Sequence, residues 1–372
     1  MSGVDFEALA QPGIRALRAY DPGHDLVAMR RRFAEGALVE LGSNENAFGP
    51  APGVREAILA TLPMLHRYPD PLGGDLKRAL CAHLGVEPAR LVLGNGSHEL
   101  LVMLAQVFAG PGSDVLMSRY GFAVYALAAQ AVGAHLRFAE AFSREAPMPL
   151  GHDLEAIAAA TGPATRLIYL ANPNNPTGTW FGPDALEHLL QRTPRSAIVV
   201  VDEAYAEYVD AAGPGSALAL AARFPNLVVT RTFSKAHGLA GLRVGYAVAH
   251  PEVIALLERL RESFNVNALG LAAAEAALAD QAHVRKVSLA NAREREWTAA
   301  ALRARGLQVL PSQTNFLLAC FGDVARARAV ESVLLAAGVV PRPMAGYGLG
   351  DCLRITVSTR RENQRLLDAL PA

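Results

Sequence analysis

The chain has 372 residues, 51% of them hydrophobic, with 35 basic and 35 acidic residues and a formal net charge of zero. That length exceeds one simple core and suits a large domain joined to a smaller one, while the charge balance argues against nucleic acid or an anionic membrane as a partner, so an anionic ligand has to be caught locally. No stretch of about 20 apolar residues runs without charge or Pro/Gly interruption, and the N-terminal MSGVDFEALAQPGIRAL carries acids early, so neither a membrane span nor a signal peptide is expected and a cytoplasmic enzyme is the starting expectation.

Up to about Arg32 the chain mixes Pro, Gly and Arg with weak periodicity and reads as an arm or lid. Residues 75–84 (DLKRALCAHL) predict a helix. Leu91-Val92-Leu93 is a short apolar run ended by Gly94-Asn95-Gly96, and a second helix follows over 97–109 with Ser97 as its N-cap. Apolar strands are predicted at 167–171, 197–201, 227–230 and 243–249, separated by helical patterns, which argues a buried, mostly parallel sheet. The region 252–305 reads as long helix. After it the pattern changes: strands at 307–310 and 315–320, a helix at 323–337, a strand at 353–357 and a final helix at 361–370 predict a smaller α+β domain. The expected division is 1–45 as an arm plus part of the small domain, 46–270 as the large domain, and 271–372 as interdomain helix and small domain. Cys81, Cys320 and Cys352 form no CxxC pair and read as reduced thiols. The ten histidines include no HExxH, and no metal site is expected.

Four segments carry candidate chemistry, and each directly follows a predicted buried strand. Gly94-Asn95-Gly96-Ser97-His98-Glu99 turns a strand into a helix, whose N-terminal N–H groups and dipole favour an anion; alone it reads equally as a capped helix. Asn172-Pro173-Asn174-Asn175-Pro176-Thr177-Gly178 is a rigid loop projecting amides from a strand end, where α/β sheets place ligands. Asp202, in Val201-Asp202-Glu203-Ala204-Tyr205, ends the most apolar strand; it is either a helix cap or a carboxylate needing a cationic partner. Lys235 sits among Thr232, Ser234 and Arg243, where neighbouring cations can lower its pKa and make it nucleophilic. One sheet edge would thus gather an anion cup, an amide, a buried carboxylate and a lysine. That inventory matches the phosphate, phenolic oxygen, pyridinium nitrogen and aldehyde carbon of pyridoxal 5′-phosphate.

The chain resembles the fold-type I pyridoxal-phosphate aminotransferases, and among them the histidinol-phosphate aminotransferase family. The resemblance runs from Leu41-Gly42-Ser43-Asn44-Glu45-Asn46 through Arg67-Tyr68-Pro69-Asp70, NPNNPTG, VDEAY and TFSKAHGLAGLRVGY to Leu353-Arg354-Ile355-Thr356-Val357. It implies a large α/β domain with a mostly parallel central sheet plus a smaller α+β domain. It further implies that Lys235 holds the cofactor as a Schiff base and shuttles the proton, and that Asp202 pairs with the pyridine nitrogen. Asn175 and Tyr205 would bond the phenolic oxygen. Ser97 and His98 through their backbone, with Thr232, Ser234 and Arg243, would hold the phosphate. Phe122 or Tyr120 would stack on the ring, with Phe122 the better fit. Tyr68 would reach the phosphate in the neighbouring subunit, which implies a homodimer with shared sites. Arg354 would bind the substrate's carboxylate or phosphate. Asn44 and Tyr20 would close over its imidazole end, although Tyr20 could equally be a packed aromatic.

His98 stands where the family often carries Asp, Ala47 replaces a frequent Pro, and Ser358 a common Gly. These departures bear on the substrate more than on the cofactor. The expected reaction is transfer of an amino group from histidinol phosphate to 2-oxoglutarate. The alternatives are aromatic amino-acid transamination, decarboxylation of a phosphorylated amino acid, and a non-enzymatic effector-binding domain. The complete Lys, Asp, Asn, Tyr and Arg set argues against the last.

Overall fold

The computed structural model describes residues 4–17, 19, 23–210 and 213–371. Tyr20 lies outside them. In chain order the strands are β1 (Val39–Glu40), β2 (Leu91–Gly94), β3 (Asp114–Ser118), β4 (His135–Ala139), β5 (Thr165–Ala171), β6 (Ile198–Asp202), β7 (Leu227–Thr232) and β8 (Gly245–Val248). They continue with β9 (Gln308–Val309), β10 (Phe316–Cys320), β11 (Val339–Val340), β12 (Arg342–Pro343) and β13 (Cys352–Thr356).

β2 to β8 form a seven-stranded sheet in the order β2-β8-β7-β6-β5-β3-β4, in which β8 alone runs against the others. Its central strands are mostly apolar because helices cover both faces; every residue of β6 is buried. One face packs on the helices Gly96–Phe108, Ala123–Ala131 and Pro251–Leu260. The other carries the helices Leu154–Ala160 and Pro183–Arg192 over β5, β6 and β7. β2, β3, β5, β6 and β7 share one direction, so their C-terminal ends open on one edge, the edge where such sheets bind ligands. β3 and β4 belong to this sheet although the sequence reading did not mark them.

A second, antiparallel sheet of four strands has the order β12-β13-β10-β9, and β1 pairs with β11 beside it. Val39 and Leu41 join the core of this unit with β10, β13 and the helices Val324–Ala336 and Arg360–Ala369. The helical stretch expected over 252–305 is three helices, Pro251–Leu260, Ala268–Ala279 and Gln281–Arg303. The expected division at 270 falls inside the second of these, which packs its Ala273, Ala274 and Ala277 beside β2 and β8. The last helix reaches both units: Val287 packs near Tyr205, and Ala299 and Leu302 pack in the core of the four-stranded unit.

Two local expectations are corrected. The helix after β2 starts at Gly96 with Asn95 as N-cap, not at Ser97; Gly96 adopts a φ of 77°, a left-handed conformation that suits glycine and turns the chain one residue early. Cys320 and Cys352 are not separate thiols but a bonded pair, leaving Cys81 as the free, buried cysteine. They lie 32 residues apart, and only the register of β10 on β13 makes them face each other.

Candidate active site

The C-terminal edge of the large sheet and the facing side of the four-stranded sheet enclose a cavity of about 200 Å³. Asp202, the last residue of β6, is buried in its wall. The Tyr125 hydroxyl donates to Asp202 Oδ2 at 2.9 Å and the Thr230 hydroxyl to Oδ1 at 3.1 Å. Burial pushes this carboxyl up to about 6 against the opposing pull of those hydroxyls and the Ala204 N–H. Tyr125 is itself fully buried and stacks on Tyr169 at 4.7 Å.

Lys235 enters from the turn after β7. Its Nζ donates to the Ser43 and Asn44 carbonyls, both at 3.3 Å, and lies 5.7 Å from the centre of the Tyr205 ring. Burial first, then the cations Arg354 and Arg243, pull its pKa down to about 8; Glu45 and Asp202 act the other way. The lysine therefore keeps a usable neutral fraction near neutral pH.

The anion cup is built by close approach. Gly245 on β8 faces Gly94 on β2, and a Cβ at Gly245 would lie 2.3 Å from the Ser97 nitrogen. A Cβ at Gly96 would lie 2.5 Å from Arg243 Nη2. The glycines thus let the first turn of the Gly96–Phe108 helix, the β7–β8 connection and the Arg243 guanidinium meet. Arg243 takes a left-handed φ of 55° and donates to Ser234 Oγ at 3.1 Å. Thr232 stabilises the turn itself, accepting from the Ser234 N–H at 3.0 Å and donating to the Val244 carbonyl at 3.3 Å. His98 borders the cup, its pKa lowered by burial and by Arg243.

The opposite wall carries Arg354 on β13. Its Nη1 donates to Asn175 Oδ1 at 2.6 Å and its Nη2 to the Gly42 carbonyl at 2.7 Å. Its guanidinium carbon lies 5.3 Å from the centre of the Phe316 ring. The loop bearing Asn175 is pinned by Asn172, which donates to the Phe181 carbonyl and accepts from the Phe181 N–H, both at 3.1 Å. Asn44 bridges the two sheets: its Nδ2 donates to the Tyr205 hydroxyl at 2.9 Å, and its N–H donates to Thr356 Oγ1 at 2.9 Å. Its amide is thus turned to Tyr205 and not held out as a lid. Burial pushes the Tyr205 hydroxyl up to about 12.

One cavity therefore gathers Asn44, Ser97, His98, Phe122, Asn175, Asp202, Tyr205, Thr232, Ser234, Lys235, Arg243 and Arg354. Between the two aromatics considered for the ring, Phe122 lines the cavity, whereas Tyr120 packs with Leu150, Leu310 and Leu318. Tyr68 is not brought there: it is 82% exposed and stacks on Phe264 at 4.6 Å. Three contributors escaped the sequence reading. Arg342 and Tyr347 line the same cavity, and Tyr125 holds Asp202. No local motif marks them; Arg342 and Tyr347 depend on β12 lying beside β13.

The fold and this site are those of an aminotransferase: the chain belongs to the aminotransferase class I and II family, whose model it matches over residues 37–370. Among full-length relatives, histidinol-phosphate aminotransferase 1 of Thiobacillus denitrificans is 44% identical over 374 residues, covering 100% of this chain and 95% of the relative. Histidinol-phosphate aminotransferase 2 of Pseudomonas aeruginosa is 45% identical, with 98% of each chain covered. The crystal structure of histidinol-phosphate aminotransferase from Sinorhizobium meliloti, in complex with pyridoxal-5′-phosphate, is similar with a TM-score of 0.87 and 33% identity, over 97% of this chain and 96% of that one.

Proposed function

We propose that this chain is a pyridoxal-5′-phosphate enzyme that moves the amino group of histidinol phosphate to 2-oxoglutarate, giving imidazole-acetol phosphate and glutamate, and that it works as a cytoplasmic homodimer. The observation that carries this reading is the joint placement of Lys235, Asp202 and the Gly96–Arg243 contact around one cavity of an aminotransferase. The residues fit the cofactor. Asp202 is a buried carboxylate whose bonds come from two hydroxyls and a backbone N–H, a setting that a protonated ring nitrogen would complete. The close approach at Gly96 and Gly245 sets Arg243 beside a helix N-terminus on the cavity's wall, a setting that suits a phosphate.

When bound, the cofactor supplies an aldehyde carbon for attachment and a conjugated ring that accepts the electrons released at the substrate's Cα. The chain's residues supply the rest. Lys235 would hold the cofactor through its neutral amine and would take and return the proton at the substrate's Cα. Asp202 would keep a proton on the ring nitrogen. Tyr205, oriented by Asn44, and Asn175 would bond the phenolic oxygen. Phe122, on the cavity wall, would pack against the ring. Ser97, His98, Thr232, Ser234 and Arg243 would hold the phosphate.

Both half-reactions use one pocket, yet histidinol phosphate brings a phosphate and 2-oxoglutarate a second carboxylate. A guanidinium fork pairs with either. Arg354 presents that fork, and Arg342 lines the same cavity as a second cation. Tyr68 would serve the neighbouring subunit's phosphate. Its exposure, together with that of Leu62, Met64, Leu65 and Leu72 beside it, supports an interface on this face.

A stopped-flow panel of amino donors tests the reading. Histidinol phosphate should exceed histidinol by roughly 100-fold or more in kcat/KM, the scale of a couple of charge-assisted hydrogen bonds. Equal efficiency with the two, or a faster half-reaction with Phe, Tyr or phosphothreonine, would overturn the substrate assignment.

A further inference from the structure

In the antiparallel pair β10–β13, facing residues alternate between hydrogen-bonded and non-hydrogen-bonded rungs, and side chains are closest at the latter. Phe321 N–H donates to the Asp351 carbonyl and Val357 N–H to the Asn315 carbonyl, both at 2.8 Å. The non-bonded rungs are therefore Phe316 with Thr356, Leu318 with Arg354, and Cys320 with Cys352. Side chains two residues apart share a sheet face, so these three rungs stand on one side. That side meets the active site: Thr356 accepts from Asn44, and Arg354 donates to Asn175. The bonded cysteines form the next rung on this face after Leu318 and Arg354, with the Ala319–Leu353 rung between them.

Behind this rung lies a separate hollow of about 630 Å³, bordered by Arg144, Gln308, Cys320, Arg326 and Asp351. Arg144 Nη2 donates to Asp351 Oδ1 at 2.9 Å, and its Nη1 lies 3.9 Å from Cys352 Sγ. The two sulfurs and the Asp351 carboxylate are grouped closely enough to suggest a metal site. Arg144 argues against one, because it already brings a cation to both Asp351 and Cys352. The same cation favours an anionic thiolate at Cys352.

We propose that Cys320 and Cys352 are a reversible thiol–disulfide site, worked by small thiols and disulfides through this hollow, and that its state is felt at Arg354. In reduction, an incoming thiolate reaches the buried Cys320 from the hollow this residue borders and attacks its Sγ, the sulfur–sulfur bond breaks, and its electron pair leaves on Cys352 as a thiolate beside Arg144. A second thiolate then releases Cys320, so two small thiols lose two electrons and become one disulfide while the protein gains two thiols. Oxidation by a small disulfide is the reverse. In a reducing compartment a bond of this kind reports redox state. Closed, it ties β13 to β10 two rungs from Arg354; open, that end of the ladder is free to spread.

The test uses folded holoenzyme equilibrated across ratios of reduced to oxidised glutathione, quenched in acid, unfolded and alkylated for mass spectrometry. Of the three cysteines, one should label at the oxidising end and all at the reducing end, with circular dichroism unchanged and the linked peptides containing Cys320 and Cys352. Full labelling at every ratio, or a bond that dithiothreitol cannot open in the folded protein, overturns the site. Arg144→Gln should slow its reduction several-fold; an unchanged rate removes Arg144 from the exchange. The link to Arg354 rests on the proposed transaminase reading, whereas the labelling does not, so the two fail separately. KM for both substrates should differ roughly threefold to tenfold between the two forms, below the ~100-fold cost of an ångström-scale misplacement. Cys320→Ser and Cys352→Ser should each abolish that difference. Equal KM values in the two forms, or a difference that survives in either variant, overturns the link.

Discussion

Arg354→Lys separates charge from geometry at the proposed substrate site. The guanidinium reaches Asn175 Oδ1 at 2.6 Å and the Gly42 carbonyl at 2.7 Å, bonds directed apart by its planar fork. A lysine keeps the positive charge but offers one nitrogen, so it loses one of these bonds and the paired contact with an oxyanion. A hydrogen bond to a charged group contributes about 1.5–3 kcal/mol, which corresponds to roughly 10-fold to 150-fold in kcat/KM. Because the same fork is proposed to serve phosphate and carboxylate, donor and acceptor half-reactions should fall together by that factor. Single-turnover spectroscopy of each half-reaction measures them separately, and thermal unfolding checks that the variant is folded. If only the donor half-reaction fell, 2-oxoglutarate would be held elsewhere, with Arg342 the first candidate; if neither fell, Arg354 would be a bridge between the two sheets and no substrate ligand.

Four further outcomes are expected. Lys235→Ala should abolish turnover with the fold intact, and borohydride reduction of native enzyme should fix the cofactor on residue 235; attachment to another lysine refutes the assignment. Tyr125→Phe removes a hydroxyl that favours ionised Asp202, about 1.5–3 kcal/mol, so that carboxyl should rise a further one to two units or so and the acid limb of the rate–pH profile should move up with it; a fixed limb would mean that Asp202 does not set it. His152 and His237 are buried and pulled down to about 4, chiefly by burial. The unfolded chain takes up protons below pH 6.5 that the fold refuses, so this stabilisation is complete above pH 6.5 and is lost as pH falls toward 4. Each histidine accounts for roughly 3 kcal/mol, and Asp202, raised to about 6, offsets one of them between pH 6 and 4. Thermal melts should therefore show a lower Tm at pH 4.5 than at pH 7, a gap that narrows in His152→Gln; an undiminished gap in that variant would clear His152 of the effect. Mixing inactive Tyr68 and Lys235 variants should restore activity, since one hybrid site is wholly native; failure despite demonstrated subunit exchange counts against shared sites.

What the sequence determined by itself was local and directional. Asn172, Asp202 and Lys235 each follow an apolar run closely, as Gly94 to Gly96 close another. Strands buried on both faces read as continuous apolar stretches, and in a parallel sheet their C-terminal ends share one edge, so the cavity's position and most of its chemistry could be read along the chain. The tertiary structure alone decided which side chains meet. Tyr125 donates to Asp202 from 77 residues away, Asn44 to Tyr205 from 161, and Arg354 to Asn175 from 179. Arg342 joins the cavity because β12 lies beside β13, and Cys320 meets Cys352 because one register of β10 on β13 sets them opposite. A shift of a single residue there would turn every side chain of the slipped strand to the other face, and register is settled by which faces the two units bury against each other, a global balance that no local pattern of residues encodes.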